Sequence, residues 1–274
     1  FNLGRNAEQC GIAAINTQTG RVDMASFLGA SSWAVAGWMA LAALIVGYSK
    51  TALGGLASVA VAIFASIMPA RSSTGALLAV LIVGDLVACW NYRRDADWRM
   101  IRRLLPFVLP GFVIGSVFLR VVDDSALRRT IGLVLLALIL LQLLITWRGA
   151  QERVAMQHSR TAAVATGAAA GFATMTANAA GAVMTLYLSA ADIDKRRFVG
   201  TAAWFFLIIN AAKVPFSAGL GLLSLQDVVR AVGLAPCVLI GGVLGYATVA
   251  RMSQRRFDVA VLLASGLAAV AMLA

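Results

Sequence analysis

Residues 47–55 read GYSKTALGG and lie between two apolar runs, residues 33–46 and 56–68. A lysine inside hydrocarbon costs about 2.5–3.5 kcal/mol on insertion scales. Glycines on both sides of Lys50 favour a break in a helix, where backbone groups line a cavity instead of facing lipid. This stretch therefore predicts a membrane-spanning segment that is broken near Lys50.

A second stretch of the same kind, GFATMTANAAG at residues 171–181, follows in the other half of the chain. Gly171 stands at an offset of 124 residues from Gly47. Two broken apolar segments at matching positions of two halves are typical of a secondary transporter whose site lies between them.

The composition of the 274-residue chain agrees with a membrane protein. It is 61% hydrophobic and 13% charged, whereas a soluble domain has about 45–50% apolar and about 25% charged residues. The apolar runs have the length of membrane-spanning helices rather than the short alternating pattern of an outer-membrane barrel. We therefore predict an all-α, polytopic helical membrane protein embedded in a lipid bilayer.

The charge and the reactive side chains narrow the function. The net charge of +11 comes from arginines between the apolar runs, which indicates orientation in the membrane rather than nucleic-acid binding. The cysteines and the single histidine have no metal-binding spacing, and no phosphate-binding GxxxxGK[ST] motif is present. We expect no enzyme activity, no metal and no cofactor.

The apolar runs divide the chain into a tail at 1–32, a first repeat at 33–147, a polar linker at 148–160 and a second repeat at 161–274. Because the chain begins with Phe1 and residues 1–23 are polar, we expect the tail to be partly non-native and leave it out of the functional argument. The predicted segments are 33–48, 56–68, 74–90, 101–121 and 126–147, then 161–173, 180–190, 198–218, 228–250 and 259–274.

Paired positions support a duplication. At an offset of 130, Pro106, Gly111 and Gly115 match Pro236, Gly241 and Gly245, and at an offset of 125, Asp85 matches Asn210. Five crossings in each half, an odd number, give inverted repeats, and this arrangement puts fifteen of the 23 Lys and Arg residues on one face. Both termini are then non-cytoplasmic. Whether the broken segments are re-entrant hairpins or full crossings is left open.

Three charged side chains fall within or beside apolar runs. Lys50 is expected to bind an anion, although a lysine that reaches the interface is the alternative. Lys213 is predicted to bind the anion or to release a proton, and an ion pair with Asp85 that only holds the two halves together is the alternative. Asp85 is predicted to be a coupling group or a counter-ion, with a purely structural pair as the alternative.

Polar side chains near the breaks are further candidates for substrate binding. Their hydroxyl and amide groups are able to donate hydrogen bonds to an oxyanion, and helix–helix hydrogen bonding is the alternative. These candidates are Ser49, Thr51, Thr176, Asn178 and Asn210.

Several short motifs occur in an order that resembles the TauE/SafE sulfite exporter family of small bacterial membrane transporters, which includes proteins like the toluenesulfonate uptake permease. They are the break at 47–55, the PARSSTG turn at 69–75, Asp85, the YRRDADW loop at 92–98, Pro110-Gly111, Gly200-Thr201 and NAAKVP at 210–215. The second break departs from the family, since many members carry more glycine where this chain has Asn178, Ala179 and Ala180.

The resemblance implies export of sulfite or an organosulfonate such as sulfoacetate across the inner membrane. Together with the repeats, it predicts a secondary transporter that works by alternating access. The alternative is a transporter of a cation or another small metabolite centred on Asp85. A homodimer is compatible with the sequence. Which anion is carried, the direction of flux and the coupling ion stay open at this point.

Overall fold

The computed structural model describes residues 33–123, 126, 127, 129, 130, 133, 160–178, 180–189, 191 and 193–271. Within these residues the chain forms nine α-helices, one short 3-10 turn at Gly54–Leu56 and no strand. The helices are α1 (Trp33–Thr51), α2 (Ala57–Ile67), α3 (Ala70–Asn91), α4 (Trp98–Val121), α5 (Arg160–Ala177), α6 (Ala180–Ser189), α7 (Lys195–Gly219), α8 (Leu225–Arg251) and α9 (Gln254–Ala271). The predicted tail, most of the predicted segment 126–147 and residues 148–159 lie outside the described residues.

Among the described helices, five are long and apolar enough to cross a bilayer. They are Trp33–Thr51, Ser72–Asn91, Trp98–Val121, Lys195–Gly219 and Leu225–Arg251. The prediction of an all-α, polytopic helical membrane protein is confirmed, and the protein is a multi-pass membrane protein. The inverted relation of the two halves stays a prediction.

Helices α4 and α8 each expose one apolar face. Leu109, Val113 and Ile114 on α4 are more than half exposed. The matching residues on α8, at an offset of 130, are Leu239, Val243 and Leu244, which are also exposed. Large contiguous apolar patches are rare on soluble monomers, so we expect these two faces to contact lipid.

Glycines on α1 and α5 let these two helices cross α8 and α4, respectively, at close range. A Cβ on Gly47 of α1 would lie 2.0 Å from the carbonyl oxygen of Val238 on α8, and one on Gly171 of α5 would lie 2.2 Å from that of Val108 on α4. Val108 and Val238 are themselves an offset of 130 apart. The first helix of each half therefore packs against the fourth helix of the other half.

Both breaks are present, but they are shorter than the sequence predicts. Helix α1 continues to Thr51 instead of ending near Tyr48, because the Ala52 amide still donates to the Tyr48 carbonyl at 2.9 Å. Gly47 lies within the helix, where its missing side chain allows close packing and does not interrupt the hydrogen bonds. Lys50 is thus in the last turn of α1, and α5 likewise continues to Ala177.

Helices α3 and α7 bring the two breaks together. Helix α3 packs against α1, α7 and α8, and α7 packs against α1, α4 and α6 as well. Asp85 lies in the second half of α3 and Asn210 in the middle of α7. The two residues that the duplication matches therefore lie on neighbouring helices at the centre of the fold.

Candidate functional site

A small cavity lies between the two breaks. The volume that the centre of a water molecule can occupy in this cavity is about 20 Å³. A single bound water molecule needs roughly 10–15 Å³ of such volume. It is lined by polar residues of both breaks and of α7 and by an apolar stripe of α7. The polar residues are Ser49, Lys50, Thr174, Asn178 and Asn210, and the stripe is Phe198, Val199, Ala202 and Phe206.

Lys50 is the one charged side chain among the described residues that line this cavity. Its ammonium nitrogen lies 2.6 Å from Oδ1 of Asp85 and 4.2 Å from the centre of the Phe206 ring. Only 6% of the side chain is exposed. A buried lysine is stable as a cation where a carboxylate and an aromatic face replace its hydration.

Asp85 lies behind the cavity wall and is fully buried. Its second oxygen, Oδ2, accepts a hydrogen bond from the Asn210 amide at 2.6 Å. Each carboxylate oxygen thus has one partner, and both partners line the cavity whereas Asp85 does not. The carboxylate therefore holds Lys50 and Asn210 in place from the side away from the cavity.

Lys213 has a different environment from the one the sequence suggests. It is fully buried and donates to the Thr174 carbonyl and to the side-chain oxygen of Asn178. Thr174 is in the last turn of α5, and its carbonyl also accepts the Asn178 backbone amide at 3.1 Å. The ammonium is thus a second donor to this carbonyl and complements the negative end of the helix dipole. Because Asp85 pairs with Lys50 instead, the alternative of an ion pair between Lys213 and Asp85 does not hold.

Asn178 shapes the second break. Its backbone φ of 52° is the only positive φ at a non-glycine residue in the part of the chain that is described. Asparagine tolerates this left-handed conformation better than most residues. Its side-chain nitrogen donates to the Thr74 carbonyl at 3.0 Å, so one side chain connects the break to both α3 and α7.

Replacing Asn178 separates these two roles. Asn178→Gly and Asn178→Ala both lose the side-chain hydrogen bonds, but alanine also pays about 1–2 kcal/mol for the left-handed backbone. We expect the thermal midpoint of the detergent-purified protein to decrease in the order wild type, Asn178→Gly, Asn178→Ala. Equal midpoints for the two variants would contradict the left-handed conformation.

The three hydroxyl candidates differ in position. Ser49 lines the cavity, and its hydroxyl donates to the Leu53 carbonyl at 2.9 Å. Thr51 donates to the Gly242 carbonyl at 2.9 Å and Thr176 to the Phe172 carbonyl at 2.8 Å, and neither lines the cavity. The Thr51 contact joins α1 to α8 and fits the alternative of helix–helix hydrogen bonding, whereas the Thr176 contact lies within α5 and occupies the one proton of that hydroxyl.

Free donors are available to an anion in the cavity. Lys50 has three N–H bonds, and the amides of Asn178 and Asn210 each have a second one. The cavity also borders the first residues of α2 and α6, Ala57 and Ala180. The first four amides of a helix have no partner within it and carry the positive end of the dipole, so two such ends adjoin one cavity.

The aromatic wall of the cavity is the part that the sequence interpretation missed. Phe198, Ala202 and Phe206 follow one another at four-residue spacing on α7, and Asn210 continues the same line. Residues four apart lie on one face of a helix. Asn210 was a candidate, and this spacing was the signal that would have found the other three.

A family model described as sulfite exporter TauE/SafE matches residues 39–272, most of the chain. No curated protein and no solved structure matches it significantly.

Proposed function

The chain belongs to the sulfite exporter TauE/SafE family, and from that membership we propose that it is a secondary transporter that exports a small sulfur-containing anion by alternating access. Membership assigns it to membrane transporters of sulfite or related sulfur anions and not to enzymes. The finer assignment to sulfite or an organosulfonate such as sulfoacetate is part of the proposal.

The observation that carries this proposal is the position of Lys50. Its ammonium adjoins a cavity at the centre of the fold, next to the N-termini of two short helices. A sulfur oxyanion needs a positive charge and several N–H donors, and Lys50, Asn178, Asn210 and the helix ends supply both. Lys213 does not line this cavity in the present conformation, so we assign the first contact with the anion to Lys50.

The size of the cavity supports a transport cycle. Space for about one water molecule is too small for a sulfur oxyanion, since even sulfite has four heavy atoms. Substrate binding therefore requires the walls to separate, and the half-helices α2 and α6 are the short elements beside the cavity. Alternating access consists of such a separation on one side of the membrane at a time.

The contacts of Asp85 disfavour the alternative of a cation substrate. Both oxygens of Asp85 already have partners, and Lys50 stands between the carboxylate and the cavity. A cation entering the cavity would meet the lysine first. We further propose an inner-membrane location with both termini non-cytoplasmic, in keeping with the loop charges, and leave the homodimer as a proposal for cross-linking to test.

The test is the thermal stability of the detergent-purified protein with sulfite, thiosulfate, sulfate, sulfoacetate, taurine or acetate. A ligand at a hundred times its dissociation constant stabilises the folded state by about 2.7 kcal/mol. We expect the largest increase in melting temperature with sulfite or a sulfonate. Thr176→Val is a control that we expect to keep this increase, because the hydroxyl of Thr176 is buried but lies away from the cavity. An increase with a cation and with none of the anions would overturn the proposal.

A further inference from the structure

The buried carboxylate of Asp85 holds two of the side chains that line the cavity. Lys50 and Asn210 are the two cavity-lining side chains that contact Asp85, and each contacts a different oxygen of its carboxylate. An anion that binds Lys50 therefore competes with Asp85 for the same ammonium group. We propose, resting on the proposed function, that anion binding displaces Asp85 from Lys50 and that Asp85 takes up a proton in the same step.

Displacement leaves the carboxylate without a cation in a place with no solvent contact, since Asp85 is fully buried. An isolated buried carboxylate is strongly disfavoured and becomes neutral by binding a proton. Asn210 alone, through one neutral amide, does not replace the lysine. The proton therefore stabilises the separated pair and makes room for the anion at Lys50.

The step balances in charge and in atoms. Before binding, the positive Lys50 and the negative Asp85 sum to zero. Afterwards Lys50 is paired with the anion, and Asp85 is a neutral acid whose new hydroxyl is at Oδ1, the oxygen that Lys50 has left. Oδ2 is then the carbonyl oxygen and still accepts the hydrogen bond from Asn210. One proton from solvent enters with each monovalent anion, so the loaded site carries the same charge as the empty one.

Other ionisable groups near Asp85 are less suited to this role. Cys89 is one turn farther along α3, and Lys213 is one turn after Asn210 on α7. Lys213 donates to Thr174 and Asn178 and pairs with neither Lys50 nor Asp85, so an anion at Lys50 leaves both of its hydrogen bonds in place. A neutral thiol has no site for a further proton. Among the described residues, Asp85 has its ion pair with Lys50 and its hydrogen bond with Asn210. The other ionisable side chains on helices that pack against α3 form neither contact with it; they are Tyr48, Lys195, Arg196, Arg197, Asp227, Arg230, Cys237, Tyr246 and Arg251.

Calorimetry of the wild-type protein tests the proposal without any variant. Methanesulfonate is the probe, since it stays a monovalent anion throughout the working pH range, and sulfite is titrated in parallel. Comparing two buffers with different ionisation enthalpies gives the number of protons taken up with each anion. We expect about one proton wherever Asp85 is ionised in the free protein and neutral in the complex, and across that pH range we expect the affinity to fall about tenfold for each pH unit.

Two variants then locate the proton. Asp85→Asn imitates the neutral acid and keeps Lys50, so it is expected to bind the probe at least as tightly as wild type, with no proton uptake. Lys213→Met removes the buried lysine one turn after Asn210 and is expected to keep the uptake. Uptake that persists in Asp85→Asn would overturn the proposal.

The outcomes distinguish this inference from the proposed function. If the wild-type protein binds the anion with the same heat in both buffers, no proton is taken up. The proposal of proton uptake would then be overturned, and the proposal of anion transport would stand. No binding of any anion would overturn both. In proteoliposomes the proposal further requires that a pH gradient alone drives the anion across the membrane, whereas a potassium diffusion potential alone does not.

Discussion

The double variant Lys50→Met/Asp85→Asn is expected to bind the transported anion at least about 30-fold more weakly than Asp85→Asn alone. Truncating one partner of a buried, charge-assisted contact typically costs 2–5 kcal/mol, and about 1.4 kcal/mol corresponds to a factor of ten. Methionine keeps most of the length and apolar stem of the lysine, so the contact with Phe206 is largely preserved. What the comparison removes is the positive charge.

The background of Asp85→Asn makes this experiment interpretable. Lys50→Met alone would leave the Asp85 carboxylate buried without a cation, and breaking a buried pair in this way costs roughly 3–5 kcal/mol. A loss of function would then report on folding. In the double variant neither group is charged, and the Asn210 amide still has an oxygen to donate to at position 85.

Dissociation constants are measured by calorimetry with the anion that gives the largest thermal shift. Both proteins must elute as the same single species from a sizing column in detergent, and their melting temperatures without ligand provide the control for folding. If the double variant binds as tightly as Asp85→Asn, then Lys50 is not the anion ligand, and the helix ends and amides hold the substrate without it.

The sequence predicted the elements better than it predicted the partners. The apolar runs identified every described helix, because segments of this length and hydropathy are distinctive in a bilayer. The offsets identified glycines that lie at helix crossings, since close approach needs a residue without a side chain. Both breaks were also found, from a lysine in one and from polar residues and glycines in the other.

The pairing of Asp85 was not predictable, because two lysines competed for it and the sequence contains no distances between helices. The space beside Gly84 on α3 helps to decide which lysine pairs with Asp85. A Cβ on Gly84 would lie 3.1 Å from Cγ of Lys50, so the absent side chain gives room to the lysine stem beside Asp85. Lys213 is directed instead to the end of α5, a contact that depends on the conformation of Asn178 and has no sequence pattern of its own.

The positions of the hydroxyl groups show the same limit. Ser49 and Thr51 are two residues apart and were equal candidates, yet the helix that carries both continues to Thr51. Residues two apart on a helix point in different directions. Ser49 therefore lines the cavity, whereas Thr51 contacts α8 at the Gly242 carbonyl. The position at which α1 ends therefore determines that Ser49, and not Thr51, lines the cavity.

Gly241→Ala is expected to destabilise the fold by at least about 3 kcal/mol, toward the upper end of what overpacking costs. A Cβ on Gly241 would lie 2.0 Å from the Leu44 carbonyl oxygen and 2.9 Å from the Tyr48 amide nitrogen. Both atoms belong to the backbone of α1, so no side-chain rotation relieves the clash, and α1 would have to move away from α8. Because α1 carries Lys50, such a movement would also take the lysine away from Asp85.

Gly37→Ala is the matched control on α1. Its added Cβ would have no atom within 4 Å, and alanine is favoured over glycine inside a helix by about 1 kcal/mol. We therefore expect Gly37→Ala to melt at or above the wild-type temperature, and Gly241→Ala to yield little monodisperse protein or to melt far below it. Gly111→Ala, the equivalent change at the crossing of α4 and α5, is expected to behave like Gly241→Ala, since its Cβ would lie 2.2 Å from the Ala168 carbonyl oxygen. If Gly241→Ala and Gly111→Ala both melt at the wild-type temperature, the crossing helices are far enough apart to accommodate a methyl group beside the carbonyl. Close contact at these glycines would then not hold the two halves together.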